Sequence, residues 1–118
     1  MMSKKELLEF AAKVHANPNL KYCDAWKGMA EYDRETQYYS WDSYWNSLTN
    51  SDNALDLVTR LGLNVMAHED GVTASDKSGR VIIEVAYDDE GISSPAGATR
   101  LAITKVAACV MGYSEVPG

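Results

Sequence analysis

His15, His68, Cys23 and Cys109 are the side chains in this sequence that could supply a general base, a thiolate nucleophile or a soft metal ligand. Their spacing supports none of these roles. No HExxH pattern relates the histidines, and neither cysteine sits in a CxxC or a Cys/His pair. A hydrolase or transferase also needs its nucleophile within reach of a base, or two acids in one pocket, and no such pairing is visible. The simpler reading is surface or half-buried histidines and reduced thiols in a reducing cytoplasm.

Glu69-Asp70-Gly71 and Asp88-Asp89-Glu90 gather oxygen donors, the chemistry of a divalent cation site. Neither has the alternating acids, glycine and distant glutamate of an EF-hand loop, so both read as solvated turn acids. Gly91 and Gly97 belong to no GxxxxGK or strand-following GxGxxG pattern. The expectation is a protein with no catalytic residues, no cofactor and no metal.

Residues 22–45 stand out. Tyr22, Trp26, Tyr32, Tyr38, Tyr39, Trp41, Tyr44 and Trp45 are eight of the eleven aromatic residues, interleaved with Asp24, Glu31, Asp33, Glu35 and Asp42. Tyr and Trp dominate interface hot spots because they bring large contact area at low entropic cost, and acids steer a basic partner. Eight rings in so short a stretch are hard to bury in one small domain, although Trp45 and one or two tyrosines should reach the core. The expected partner-binding residues are therefore Trp26, Glu31, Asp33, Glu35, Tyr38, Tyr39, Trp41 and Asp42.

Length and composition bound the frame for these residues. A chain of 118 residues, 46% hydrophobic and 24% charged, suits one domain spanning 1–118 with a core that needs no disulfide or metal. The early lysines are followed by leucines interleaved with acids, so no signal peptide is expected. The longest apolar run, Val106 to Met111, is far short of the roughly 20 residues that span a bilayer. A cytoplasmic protein with no membrane association is expected. The net charge of −6 disfavours direct nucleic-acid binding, which needs clustered bases.

The elements follow from local chemistry. Ser3 and Glu6 form a capping box ahead of a helix with Leu7, Leu8, Ala11, Ala12, Val14 and His15 on one face, ended by Asn17-Pro18-Asn19. Short strands are predicted at 20–23 and 36–39, with no clear period between Trp26 and Arg34. Asn53 is the expected cap of a second helix carrying Ala54, Leu57, Val58 and Leu61 and closed by Gly62. Three strands then form a meander around Val65, Val72 and Ile83, turning at Glu69-Asp70-Gly71 and Asp76-Lys77-Ser78-Gly79. The last, from Val81 to Tyr87, is apolar on both faces and so expected to be central or covered on both sides. Asp88-Asp89-Glu90-Gly91 breaks it, and Ser94-Pro95 starts a final helix whose Ala102, Ile103, Val106, Ala107, Cys109 and Val110 pack inward. The prediction is an α+β fold, a mostly antiparallel sheet of three to five strands covered by three helices, in the order α-β-β-α-β-β-β-α.

Three segments resemble a family of short phage and prophage proteins described as an alpha-beta-alpha sandwich. These are the leucine and alanine pairs of Glu6-Leu7-Leu8-Glu9-Phe10-Ala11-Ala12-Lys13; the stretch Trp45-Asn46-Ser47-Leu48-Thr49 leading to Ala54-Leu55-Asp56-Leu57; and Ala98-Thr99-Arg100-Leu101-Ala102-Ile103 with its alanine-rich continuation. Ser47 stands where the family usually has proline and Asn53 where it often has aspartate. The resemblance implies a fold and a phage or prophage setting, and fold alone supplies no activity. The leading expectation is a non-enzymatic accessory protein that binds a host or phage protein through residues 22–45. By analogy, the target could be a basic nucleic-acid-processing effector of a CRISPR or restriction defence, and a homodimer could use the same surface. The alternatives are an enzyme or small-ligand binder with an unrecognised site, and nucleic-acid binding through Lys4, Lys5, Lys13 and Lys21.

Overall fold

The computed structural model describes residues 3–88, 92 and 94–113. Ser3 Oγ accepts the Glu6 amide at 3.1 Å and donates to the Glu6 carboxylate at 3.1 Å, so the carboxylate takes the hydroxyl rather than the backbone amide expected of it. Helix α1 runs Lys4–Ala11, tightens into a 3₁₀ turn at Ala12–His15 and ends at left-handed Ala16. Leu7, Leu8, Ala11 and Ala12 are buried, the predicted face.

Strands β1 (Leu20–Cys23), β2 (Gly28–Asp33) and β3 (Tyr38–Tyr39) form one antiparallel sheet in that order. The stretch between Trp26 and Arg34 that shows no period holds the central strand. Gly28, Met29 and Ala30 are buried in succession because both faces of β2 are covered at this end, which erases the alternation that marks a strand. β3 is shorter than expected because Asp33 Oδ1 accepts the Glu35 and Thr36 amides, drawing Thr36 into the turn.

Trp45 bridges to Met29 by two backbone hydrogen bonds and leads into α2, Ser51–Leu61. The cap is Asn50, whose side chain accepts the Asn53 amide at 3.0 Å; Asn53 itself holds the Asn46 amide at 2.9 Å. Both asparagines are cap-type residues, and the earlier one takes the role. Gly62 closes the helix with φ +65°, as expected.

The meander of β4 (Asn64–Ala67), β5 (Gly71–Ser75) and β6 (Ile82–Ala86) forms a second antiparallel sheet in the order β4-β5-β6. β5, not β6, is central. Only one face of this sheet is covered: Val72, Ala74 and Val85 are buried there, while Ile82 on the other face is 61% exposed. Of the acidic break after β6, Asp89, Glu90 and Gly91 lie outside the described residues.

Helix α3 (Pro95–Val110) begins as predicted, with Ser94 Oγ accepting the Gly97 amide at 3.0 Å and proline in the first turn. It packs against α1, α2 and the covered face of the second sheet. Ala98, Ala102, Ile103, Val106, Ala107 and Ala108 are buried, but Val110 is exposed and Cys109 half-buried as the helix runs past the sheet. Among the described residues the fold is α+β, with three α-helices and two three-stranded antiparallel sheets in the order α-β-β-β-α-β-β-β-α. No described helix is long and apolar enough to cross a membrane.

Candidate partner-binding surface

The pairing of Cys23 with Gly28 leaves Asp24 to Lys27 as a four-residue loop closed by left-handed Lys27; Asp33 and Tyr38 enclose a loop of the same length closed by left-handed Gln37. This register decides which rings go where. Residues paired across antiparallel strands share a face, so Cys23, Gly28, Ala30, Tyr32 and Tyr39 lie on one side, and Leu20, Tyr22, Met29, Glu31, Asp33 and Tyr38 on the other.

On the first side the aromatics form a roof. Tyr32 and Tyr39 rings lie 4.9 Å apart, and Tyr39 leads to Trp26 at 6.1 Å. Trp41 meets Trp26 edge-on at 4.8 Å and stacks on Tyr44 at 4.8 Å with an 18° tilt. Hydroxyls anchor the roof to backbone: Tyr39 donates to Tyr22 O at 3.0 Å and Tyr44 to Trp26 O at 3.1 Å. Gly28 is required beneath it, since a Cβ there would lie 2.6 Å from Tyr44 Cε2. Cys23 and Ala30, on the same face, are buried. No disulfide links Cys23 to Cys109.

The expected site residues divide accordingly. Trp26, Tyr39 and Trp41 belong to the roof, and Trp41 remains 62% exposed. Glu31, Asp33, Glu35, Tyr38 and Tyr39 line a shallow cleft of about 560 Å³ beside the second turn, with Tyr38 75% exposed; Tyr39 joins the two regions. Asp42 is exposed beside Trp41 in a 3₁₀ turn. Two acids carry structural duties: Glu31 accepts from Asn17 Nδ2 at 3.2 Å, and Asp33 shapes its turn. Trp45 is 6% exposed and in the core, as expected, and Tyr22 packs against the core from the sheet's other face.

Sequence reasoning left Tyr32 and Tyr44 off the site, although Tyr44 is the ring on which Trp41 rests. The clue was Gly28, a residue poor for strands at a point where a ring approaches backbone. Burial, with lesser contributions from nearby acids and thiol, pushes the Tyr22 and Tyr39 hydroxyls above the usual tyrosine range, so both are protonated donors or acceptors at neutral pH.

The remaining candidate groups lie elsewhere. His15 sits edge-on to Trp45 at 5.3 Å, its pKa lowered by burial and by Arg60. His68 Nε2 contacts Thr73 Oγ1 at 2.8 Å, and Thr73 donates to Glu84 at 3.3 Å on the open face of the second sheet. Among the described residues no three His, Cys, Asp or Glu side chains gather as metal ligands. Lys5 and Lys13 lie over the rings of Tyr22 and Phe10. No known protein family, curated protein or solved structure matches this chain.

Proposed function

We propose that this chain is a non-enzymatic accessory protein, of phage or prophage setting, that binds a basic protein through the aromatic and acidic rim of its first sheet. The observation that carries the reading is Trp41: fixed between Tyr44 and Trp26, yet 62% exposed. A ring already immobilised loses little entropy on binding, the property of an interface anchor. Exposed Asp42 adjoins it, and exposed Asp33 and Glu35 line the neighbouring cleft; this negative charge would select a basic surface and speed encounter. A nucleic-acid-processing effector of a host defence has such a surface, and blocking one is the specific role proposed.

The test is affinity capture from host lysate with mass spectrometry, comparing the wild type with Trp41→Ala/Tyr38→Ala and with Glu35→Lys/Asp42→Lys. A basic nucleic-acid-processing protein retained only by the wild type, and released by salt, supports the proposal. Equal recovery by all three chains, or recovery of this chain alone, overturns it.

A further inference from the structure

Between α1, the β1–β2 turn, residues 46–49 and the first turns of α3 runs a groove of about 730 Å³. Tyr22, Trp26 and Tyr44 are among the residues that line it, and Lys4, Lys27 and Arg100 bring three cations from three different elements. Among the described residues no carboxylate lines the groove, in a chain of net charge −6. Arg60–Asp56 is the sole ion pair among those residues, so none of the three cations is paired with a described acid.

The walls are fixed by hydrogen bonds. Arg100 donates from Nε to Leu48 O at 3.0 Å and from Nη1 to Ser51 Oγ at 3.1 Å, which sets the plane of its guanidinium. Asn46, 3% exposed, donates from Nδ2 to Lys27 O at 2.8 Å and to the Tyr44 hydroxyl at 3.2 Å, tying the lysine's turn to the ring beside it. The groove is thus preorganised, and its volume falls within the range of about 300–1,000 Å³ typical of small-molecule sites.

We propose that this groove binds a nucleotide, its base against the rings of Tyr22 and Trp26 and its phosphate against Lys4, Lys27 and Arg100. Aromatic rings stack on any nucleobase, and a phosphate matches a fixed guanidinium supported by ammonium groups. The sequence lacks a phosphate-cradling loop because the site is assembled from four separate segments. The same chemistry is offered by a free 5′-mononucleotide and by the 5′-phosphorylated end of a single strand. This inference stands independently of the protein-partner reading.

Titration calorimetry of the full chain tests it, using the four 5′-ribonucleoside monophosphates, the matching nucleosides, and a pentanucleotide with and without a 5′-phosphate. The variant is Lys4→Gln/Lys27→Asn: both positions are exposed, and asparagine tolerates the left-handed backbone of Lys27. Saturable binding of a monophosphate, weakened about tenfold or more in the variant while nucleoside binding is unchanged, supports the proposal and assigns a free nucleotide. Binding confined to the 5′-phosphorylated strand, with the same loss in the variant, supports it and assigns a strand end. Absence of saturable binding at about 50 mM salt, or binding indifferent to the loss of both lysines, overturns it.

Discussion

Ser47 Oγ and Thr104 Oγ1 lie 2.7 Å apart, both fully buried, joining the segment that follows the first sheet to the middle of α3. Thr104 spends its proton on Arg100 O at 2.8 Å, so Ser47 is the donor of the pair. Thr104→Val strands the Ser47 hydroxyl and is expected to cost about 1–3 kcal/mol, whereas Ser47→Ala leaves Thr104 bonded and costs about 0.5–1.5 kcal/mol. The double variant should cost less than the sum of the two. Urea unfolding of the four proteins measures the coupling, and strict additivity would show that the pair does not act as a unit.

Gly28→Ala forces Tyr44 off the sheet. Backbone below and a ring at 2.6 Å above leave the new methyl no room, and the expected cost is about 1–3 kcal/mol. Since Trp41 stacks on Tyr44, the tryptophan emission should shift to the red. Tyr44→Leu in the Gly28→Ala background is expected to recover part of the stability; no recovery would place the strain elsewhere.

The tryptophans separate structure from binding. Trp41→Ala removes an exposed ring and one stack, and is expected to cost no more than about 1.5 kcal/mol. Trp45→Ala empties a core site and should cost about 3–5 kcal/mol. Thermal melts distinguish them, and a Trp41 variant as unstable as the Trp45 variant would recast the exposed ring as scaffold.

His15 makes stability depend on pH. Burial first, and the Arg60 charge second, lower its pKa from the ordinary 6.5, with Asp56 opposing. The unfolded chain therefore binds the proton more readily, and stability is lost as pH falls through 6.5, levelling off below the folded value. Unfolding midpoints should drop between about pH 7.5 and about pH 5.5 in the wild type and drop less in His15→Gln. Equal drops would assign the dependence to other groups.

Caps and stops at Ser3, Gly62 and Ser94-Pro95 were legible in the sequence because each depends on neighbours within a few residues, although the second helix is capped by Asn50 and not by the expected Asn53. What escaped depends on distant contacts. β2 is central because β1 pairs with one of its edges and β3 and the bridge to Trp45 with the other, while rings from 39–44 cover one face, and none of these contacts leaves a periodic trace in Gly28-Met29-Ala30. β6 reads as central from its apolar content, but it is an edge strand and Ile82 on its outer face is exposed. The aromatic segment was recognisable as unusual; the division of its rings between roof, cleft and core is set by the pairing of Cys23 with Gly28, which composition cannot express.

Among the described residues, no ladder of hydrogen bonds joins the two sheets, and the first is tied to the rest through α1 and the Met29–Trp45 bridge. Its amides can therefore open to solvent exchange while the β5 amides under α3 stay protected. An occupant of the aromatic half is therefore expected to be read as slowed amide exchange in β2 and β3, with the exchange of α3 amides unchanged.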